Sequence, residues 1–145
     1  MKMKKEKKPA ASAEILDLLN QALKLEYTII IHMPRIASAI KDEKTREMAQ
    51  LLGTASVKHA DIVANAISSM GGVPEWGFEA VPMGKDLVEI FEMQLEKEKM
   101  AQQLHEKSAS LIKDRDLKLK FKQLASDEEW HAKVVNDILA RLRKD

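Results

Sequence analysis

Apolar residues recur along this chain at steps of three and four, the spacing of one face of an α-helix, over four long stretches. The first runs from Ser12, a candidate N-cap, to about Ile40, with Ile15, Leu19, Ala22, Ile29, Met33, Ile36 and Ile40 on one stripe. Pro34 lies inside it and removes a backbone donor, so a bend is expected there. The second follows a turn at Lys41 to Glu43, carries Met48, Leu52, Val63, Ala66 and Met70, and stops at Gly71-Gly72. The third spans about Lys85 to Ile112, with Val88, Phe91, Leu95, Ala101, Ala109 and Ile112. The fourth starts after Lys113-Asp114-Arg115-Asp116 and carries Leu117, Phe121, Leu124, Val135, Ile138 and Leu142. Helices of such length are each about 40 Å long. Residues 71–84 hold Pro74, Pro82 and four glycines, too many residues for a tight turn, and are expected to form a long crossover between the second and third helices. Trp76, Phe78, Val81 and Met83 are expected to cover one open side. The fold class that follows is all-α: an antiparallel four-helix bundle over residues 12–143, behind a solvated, unstructured lysine-rich tail at 1–11.

Every stripe is interrupted by polar residues where leucine is expected. Glu26 interrupts the first, Ser56 and His59 the second, Glu98 and His105 the third, Glu128 and His131 the fourth. Burying a carboxylate costs several kcal/mol unless something pairs with it. The interruptions are also ordered by an internal repeat. Adding 72 to a residue number takes Glu26 to Glu98, His59 to His131, Ser56 to Glu128, Leu52 to Leu124 and Lys41-Asp42 to Lys113-Asp114. Glu26 and Ser56 are centred on the Lys41 turn, and Glu98 and Glu128 on the Lys113 turn, so each hairpin folds its polar positions to one level. Two hairpins about a pseudo-two-fold axis bring Glu26, His59, Glu98, Glu128 and His131 together. A carboxylate from each of two helices with Glu-x-x-His motifs from the other two is the way a bundle holds two iron or manganese ions. Here the pattern is complete except at Ser56, where symmetry calls for Glu.

Composition narrows the chemistry further. Charged residues are 32% of the 145 and aromatics 4%, a balance that favours long helices. The absence of cysteine excludes disulfides, thiolate metal sites and thiol nucleophiles, leaving oxygen and nitrogen as donors. A net charge of +1 gives no overall field to recruit nucleic acid or a membrane surface. No apolar run is long enough to span a bilayer, and no signal-peptide core follows the N-terminal lysines, so a cytoplasmic location is expected.

With these residues in place the chain resembles the ferritin-like superfamily, nearest in pattern to bacterioferritin and rubrerythrin-type bundles, over about residues 13 to 142. The segment Leu19-Asn20-Gln21-Ala22-Leu23-Lys24-Leu25-Glu26 resembles bacterioferritin's first ligand helix. Lys58-His59-Ala60-Asp61 with Gly71-Gly72-Val73-Pro74 resembles its second helix and exit, and Leu95-x-x-Glu98 and Asp127-Glu128-Glu129-x-His131 its third and fourth. The resemblance implies two metal positions, Glu26 and His59 serving one, Glu98 and His131 the other, with Glu128 bridging. It implies iron, with manganese or zinc as alternatives, and O2 or peroxide as oxidant in a ferroxidase- or peroxidase-like reaction. By the same analogy it implies a homodimer. Val57 stands where bacterioferritin places its haem-ligating Met, so no haem is expected, and neither the fifth helix of 24-subunit shells nor the cysteine-bearing iron domain of rubrerythrins is expected.

Ser56 in place of a bridge makes the expected site asymmetric or mononuclear, with Glu98, Glu128 and His131 the stronger half and Glu26 with His59 the weaker. His105 is expected beside the ligands rather than among them, His32 in an unremarkable surface role, and Asp127, Glu129 and Glu96 as outer-face charges. Met33, Met48 and Met70 are core filler. The alternative is a bundle whose Glu and His satisfy one another without metal, a degenerate site on a structural or partner-binding protein.

Overall fold

The computed structural model describes residues 12–80 and 84–144; the lysine-rich tail, Val81 and Met83 lie outside the described residues. Four helices follow in order: α1 (Ala13–Ser38), α2 (Glu43–Ser69), α3 (Leu87–Leu111) and α4 (Arg115–Arg143). Each start has a side-chain cap. Ser12 Oγ accepts from Ile15 N in α1, and Asp86 forms a reciprocal capping box with Glu89 in α3. Asp42 and Asp114, equivalent under the 72-residue repeat, accept from the equivalent Thr45 and Leu117 amides of α2 and α4. At the end of α2, Gly71 takes a φ of 85°, and Gly72 N–H reaches back to Ile67 O at 2.9 Å, closing the helix in a Schellman turn. Helix α1 runs unbroken through Pro34 and ends two residues short of Ile40.

α1 packs on α2 and α3, and α4 packs on α3 and α2, so the four helices form a ring in cross-section. The residues that follow α2 lie beside α1. Glu75 N–H donates to Asn20 Oδ1 at 2.9 Å and Glu79 N–H to Thr28 Oγ1 at 3.0 Å, while His32 Nε2 meets Glu79 O at 2.7 Å. That carbonyl can only accept, so His32 donates and works as a surface tie, as its sequence position suggests. Trp76 and Phe78 do not close an open side. Trp76 rests on Tyr27 with ring centroids 4.6 Å apart yet stays 69% exposed, and Phe78 is 42% exposed against His32.

The core falls into two apolar clusters at opposite ends. One joins Ile29, Met33, Ala37, Ala49 and Leu52 to Phe91, Val135, Ile138 and Leu139. The other joins Leu19, Leu23, Ala60, Val63 and Ile67 to Ala109, Ile112, Phe121 and Leu124. The repeat exchanges them: Leu52 maps to Leu124, Val63 to Val135, Ala66 to Ile138 and Ile67 to Leu139, and every one of these is buried. Between the clusters lies a layer of buried polar side chains.

Leu52 and Leu124 stand one helical turn, about 6 Å, to either side of that layer. Each Leu→Ala change is expected to cost about 2–5 kcal/mol from lost burial and the cavity left behind. Because the two serve separate clusters, the double variant should lose the sum of the single losses within about 0.5 kcal/mol in denaturant unfolding. A marked departure from additivity would show that the clusters are one core.

Candidate metal centre

The polar layer consists of Glu26 from α1, Ser56 and His59 from α2, Gln94, Glu98 and His105 from α3, and Glu128 and His131 from α4, all buried. Their level follows from sequence. In each helix the polar residue takes the next place on the apolar stripe, one turn beyond residues anchored in one cluster and one turn before residues anchored in the other. The five residues expected as ligands are brought together, and Ser56, 2% exposed, faces inward as the repeat requires.

The donor atoms fall into two groups that share Glu128. Those of Glu26, His59, His105 and Glu128 all lie within 4.8 Å of one another, as do those of Glu98, Glu128 and His131. His59 Nδ1 stands 3.4 Å from Glu26 Oε2 and 3.3 Å from Glu128 Oε1. Nε2 of His105 is 3.4 Å from Glu26 Oε2 and 3.8 Å from Glu128 Oε2. In the second group His131 Nδ1 is 2.8 Å from Glu128 Oε1 and 3.8 Å from Glu98 Oε1.

His105, expected beside the ligands, lies against both Glu26 and Glu128. Two features depart from the sequence expectations. Asp127 is not simply an outer-face charge: its Oδ2 is 3.1 Å from His59 Nε2, and Gln123 Nε2 donates to its Oδ1 at 2.9 Å. A carboxylate only accepts, so this contact puts a proton on Nε2 and aims Nδ1 at the layer. Gln94, absent from the expected set, donates to Glu98 Oε2 at 2.9 Å. Its i,i+4 spacing from Glu98 was visible in the sequence, and Asp127 adjoins Glu128, but nothing in a single helix's pattern pairs Asp127 with His59 on another.

Burial and mutual charge shift the protonation of this layer. Burial would raise the Glu26 pKa, but His105 and His59 outweigh it through hydrogen bonding and charge and hold it at about 2. Burial likewise works against a charged His59, and the carboxylates of Glu128 and Glu26 overcome it, raising the imidazole to about 10. Glu98 moves the other way. Burial and the neighbouring Glu128 carboxylate push it well above the usual carboxylate range, although Gln94 pulls it down. Among the described residues, Glu26 Oε1, His59 Nδ1, Glu98 Oε1, His105 Nδ1 and Glu128 Oε2 are buried without a hydrogen-bond partner. Orphaned buried polar atoms are rare in native proteins and call for an explanation.

Comparison with known proteins supports this architecture. A ferritin-like, diiron-carboxylate protein from Bacillus anthracis superposes with a TM-score of 0.79 at 22% identity, covering 87% of this chain and 95% of that one. The bacterioferritin of Desulfovibrio desulfuricans, described with its diiron site in different catalytic states, gives 0.77 at 19%, covering 91% and 81%. A dodecameric thioferritin, the bacterioferritin-related protein of Bacteroides fragilis, gives 0.75 at 18%, covering 90% and 87%. No protein-family model matches the sequence, and no curated relative does. The chain has the ferritin-like four-helix bundle fold. Among the described residues no helix is long and apolar enough to cross a membrane.

The shifted groups set the pH dependence of the metal-free protein. Glu26, depressed from 4.5 to about 2, contributes stability present above pH 4.5 and lost as pH falls toward 2. Glu98, raised above 4.5, favours the folded state below that pH and gives this up as pH rises. His59, raised from 6.5 to about 10, contributes fully below pH 6.5 and loses that contribution as pH climbs through 10. Thermal melts of chelated protein should therefore peak at mildly acidic pH and fall on both sides. A melting temperature that rises steadily from pH 5 to pH 9 would contradict these assignments.

Proposed function

We propose that this chain is a ferritin-like metal-binding protein that holds iron in the polar layer through Glu26, His59, Glu98, Glu128 and His131, and handles O2 or peroxide as an oxidoreductase. The observation that carries this is the set of unpartnered buried donors, four of which belong to these residues. The spacing also fits an ion. Donors each about 2.1 Å from a common centre stand about 3.0–3.4 Å apart, longer than a good hydrogen bond. The contacts of His59 with Glu26 and Glu128, at 3.4 and 3.3 Å, have that spacing. Carboxylate and imidazole donors suit Fe, Mn and Zn, and the O2 or peroxide chemistry proposed here selects iron. A haem forms no part of the proposal, because Val57 offers no ligand atom.

Iron bound in this layer supplies electrons to an oxidant. The residues of the chain do the rest. Asp127 accepts from His59 Nε2 and holds the ring so that Nδ1 faces inward. Gln94 fixes one oxygen of Glu98 and leaves Oε1 free. Metal uptake must remove the Nδ1 proton of His59 and competes with the protonation that burial favours at Glu98, so binding releases protons and weakens as pH falls. The apolar clusters above and below exclude bulk water from the layer.

Protein purified without chelator is expected to contain Fe by elemental analysis, and saturation at about 100 times Kd should stabilise it by about 2.7 kcal/mol. Glu128→Gln, which keeps the shape but removes the charge shared by both donor groups, should abolish retention of metal and consumption of O2 or peroxide while the chain stays helical. A wild-type protein that neither retains nor binds Fe, Mn or Zn would instead establish a bundle whose site has degenerated into a structural one.

A further inference from the structure

The repeat is broken three times inside the polar layer: Gln94 stands opposite Ala22, and the other two breaks are opposite in chemistry. At position 56 a serine stands opposite Glu128, so one carboxylate is lost. At position 105 a histidine stands opposite Met33, so one imidazole is gained. Met33 is 1% exposed and packs in its apolar cluster. His105 is 0% exposed, with its ring edge-on to Phe121 at 5.8 Å, and its Nε2 is turned to the same Glu26 oxygen that faces His59 Nδ1. That Glu26 oxygen is 3.4 Å from each imidazole nitrogen. The His105 contact with Glu26, at 3.4 Å, is too long for a strong hydrogen bond and has the spacing of neighbouring ligands of one ion, and Glu128 Oε2 lies a little farther off at 3.8 Å.

We propose that His105 is itself a metal ligand through Nε2, replacing the donor missing at Ser56, so that Glu26, His59, His105 and Glu128 form the complete half of the layer. This rests on the metal-binding reading above and reverses the ranking drawn from the sequence. The Glu26 half has two carboxylates and two imidazoles. The other half has Glu98, Glu128 and His131 only, and one Glu98 oxygen is already held by Gln94. The first ion therefore enters beside Glu26, and the second, weaker one beside His131. When Nε2 is committed to metal the proton of the ring resides on Nδ1, which is buried and unpartnered; Ser108, one turn along the same helix, carries a buried hydroxyl in the same condition. Two imidazoles also shift the preference of this half toward Fe and Zn over Mn.

Zn2+ titrated into chelated protein, followed by histidine-selective 15N NMR, decides the matter. The first equivalent is expected to shift the ring nitrogens of His59 and His105 together, and the second those of His131. His105→Met, which installs the residue the repeat already accommodates at Met33, should weaken the first event by more than about 100-fold, beyond the loss of an outer hydrogen-bond partner, and leave the His131 event in place. If Zn2+ binds while His105 stays unshifted, or if His131 responds first, the proposal falls and the metal-binding reading survives. If no histidine responds and no Zn2+ is retained, both fall. The wild-type titration gives the answer even where the variant folds poorly.

Discussion

Three carboxylates and three imidazoles buried at one height between two apolar clusters are the constraint around which this bundle is built. Ionised groups in such a place are stable only when something neutralises them. The chain answers in part by itself. Glu26 and His59 hold each other charged, and Glu98 is pushed toward its neutral form. What internal pairing leaves over is a set of unpartnered donors that face one another from four helices. Hydrogen-bonded pairs approach to about 2.9 Å, as His131 and Glu128 do at 2.8 Å, whereas the contacts of His59 and His105 with Glu26 stay at 3.4 Å.

The repeat explains how so costly a layer is assembled without special loops. Equivalent aspartates, Asp42 and Asp114, start the second helix of each hairpin and fix its register on the first. Register then carries Glu26 beside His59, and Glu98 beside His131, over fifteen or so residues of regular helix. Because the same side-chain pattern runs through both hairpins, each cluster receives the turn end of one and the open end of the other. The layer is thus gripped from both ends, which limits how far any donor can retreat toward solvent.

Helices, turns and the level of the layer were legible in the sequence because all three depend on periodicity within a helix, and the Ser12 cap was legible because it is local. The five expected ligands converge for the same reason. Contacts between helices were less visible. A helical stripe says that His105 points inward, but not that Nε2 meets Glu26 across the bundle rather than packing beside the ligands. It places Asp127 one step round from Glu128, and only the approach of α2 turns that edge position into a partner for His59. Trp76 was expected to cover an open side, and it rests on Tyr27 while most of the indole meets solvent.

Loss at Ser56 and gain at His105 are best understood as one change in the character of the layer. A symmetric set with four carboxylates would place more negative charge at this depth than the imidazoles could balance without two cations. Exchanging one carboxylate for an imidazole gives three of each, a set that one divalent cation with one proton, or three protons, can neutralise. Glu98 already demonstrates the principle, since it is the carboxylate with the fewest imidazole neighbours, His131 alone, and the one driven toward its neutral form. The asymmetry is therefore electrostatic before it is catalytic. It lets the chain fold with its donors in place and leaves one half of the layer better furnished than the other.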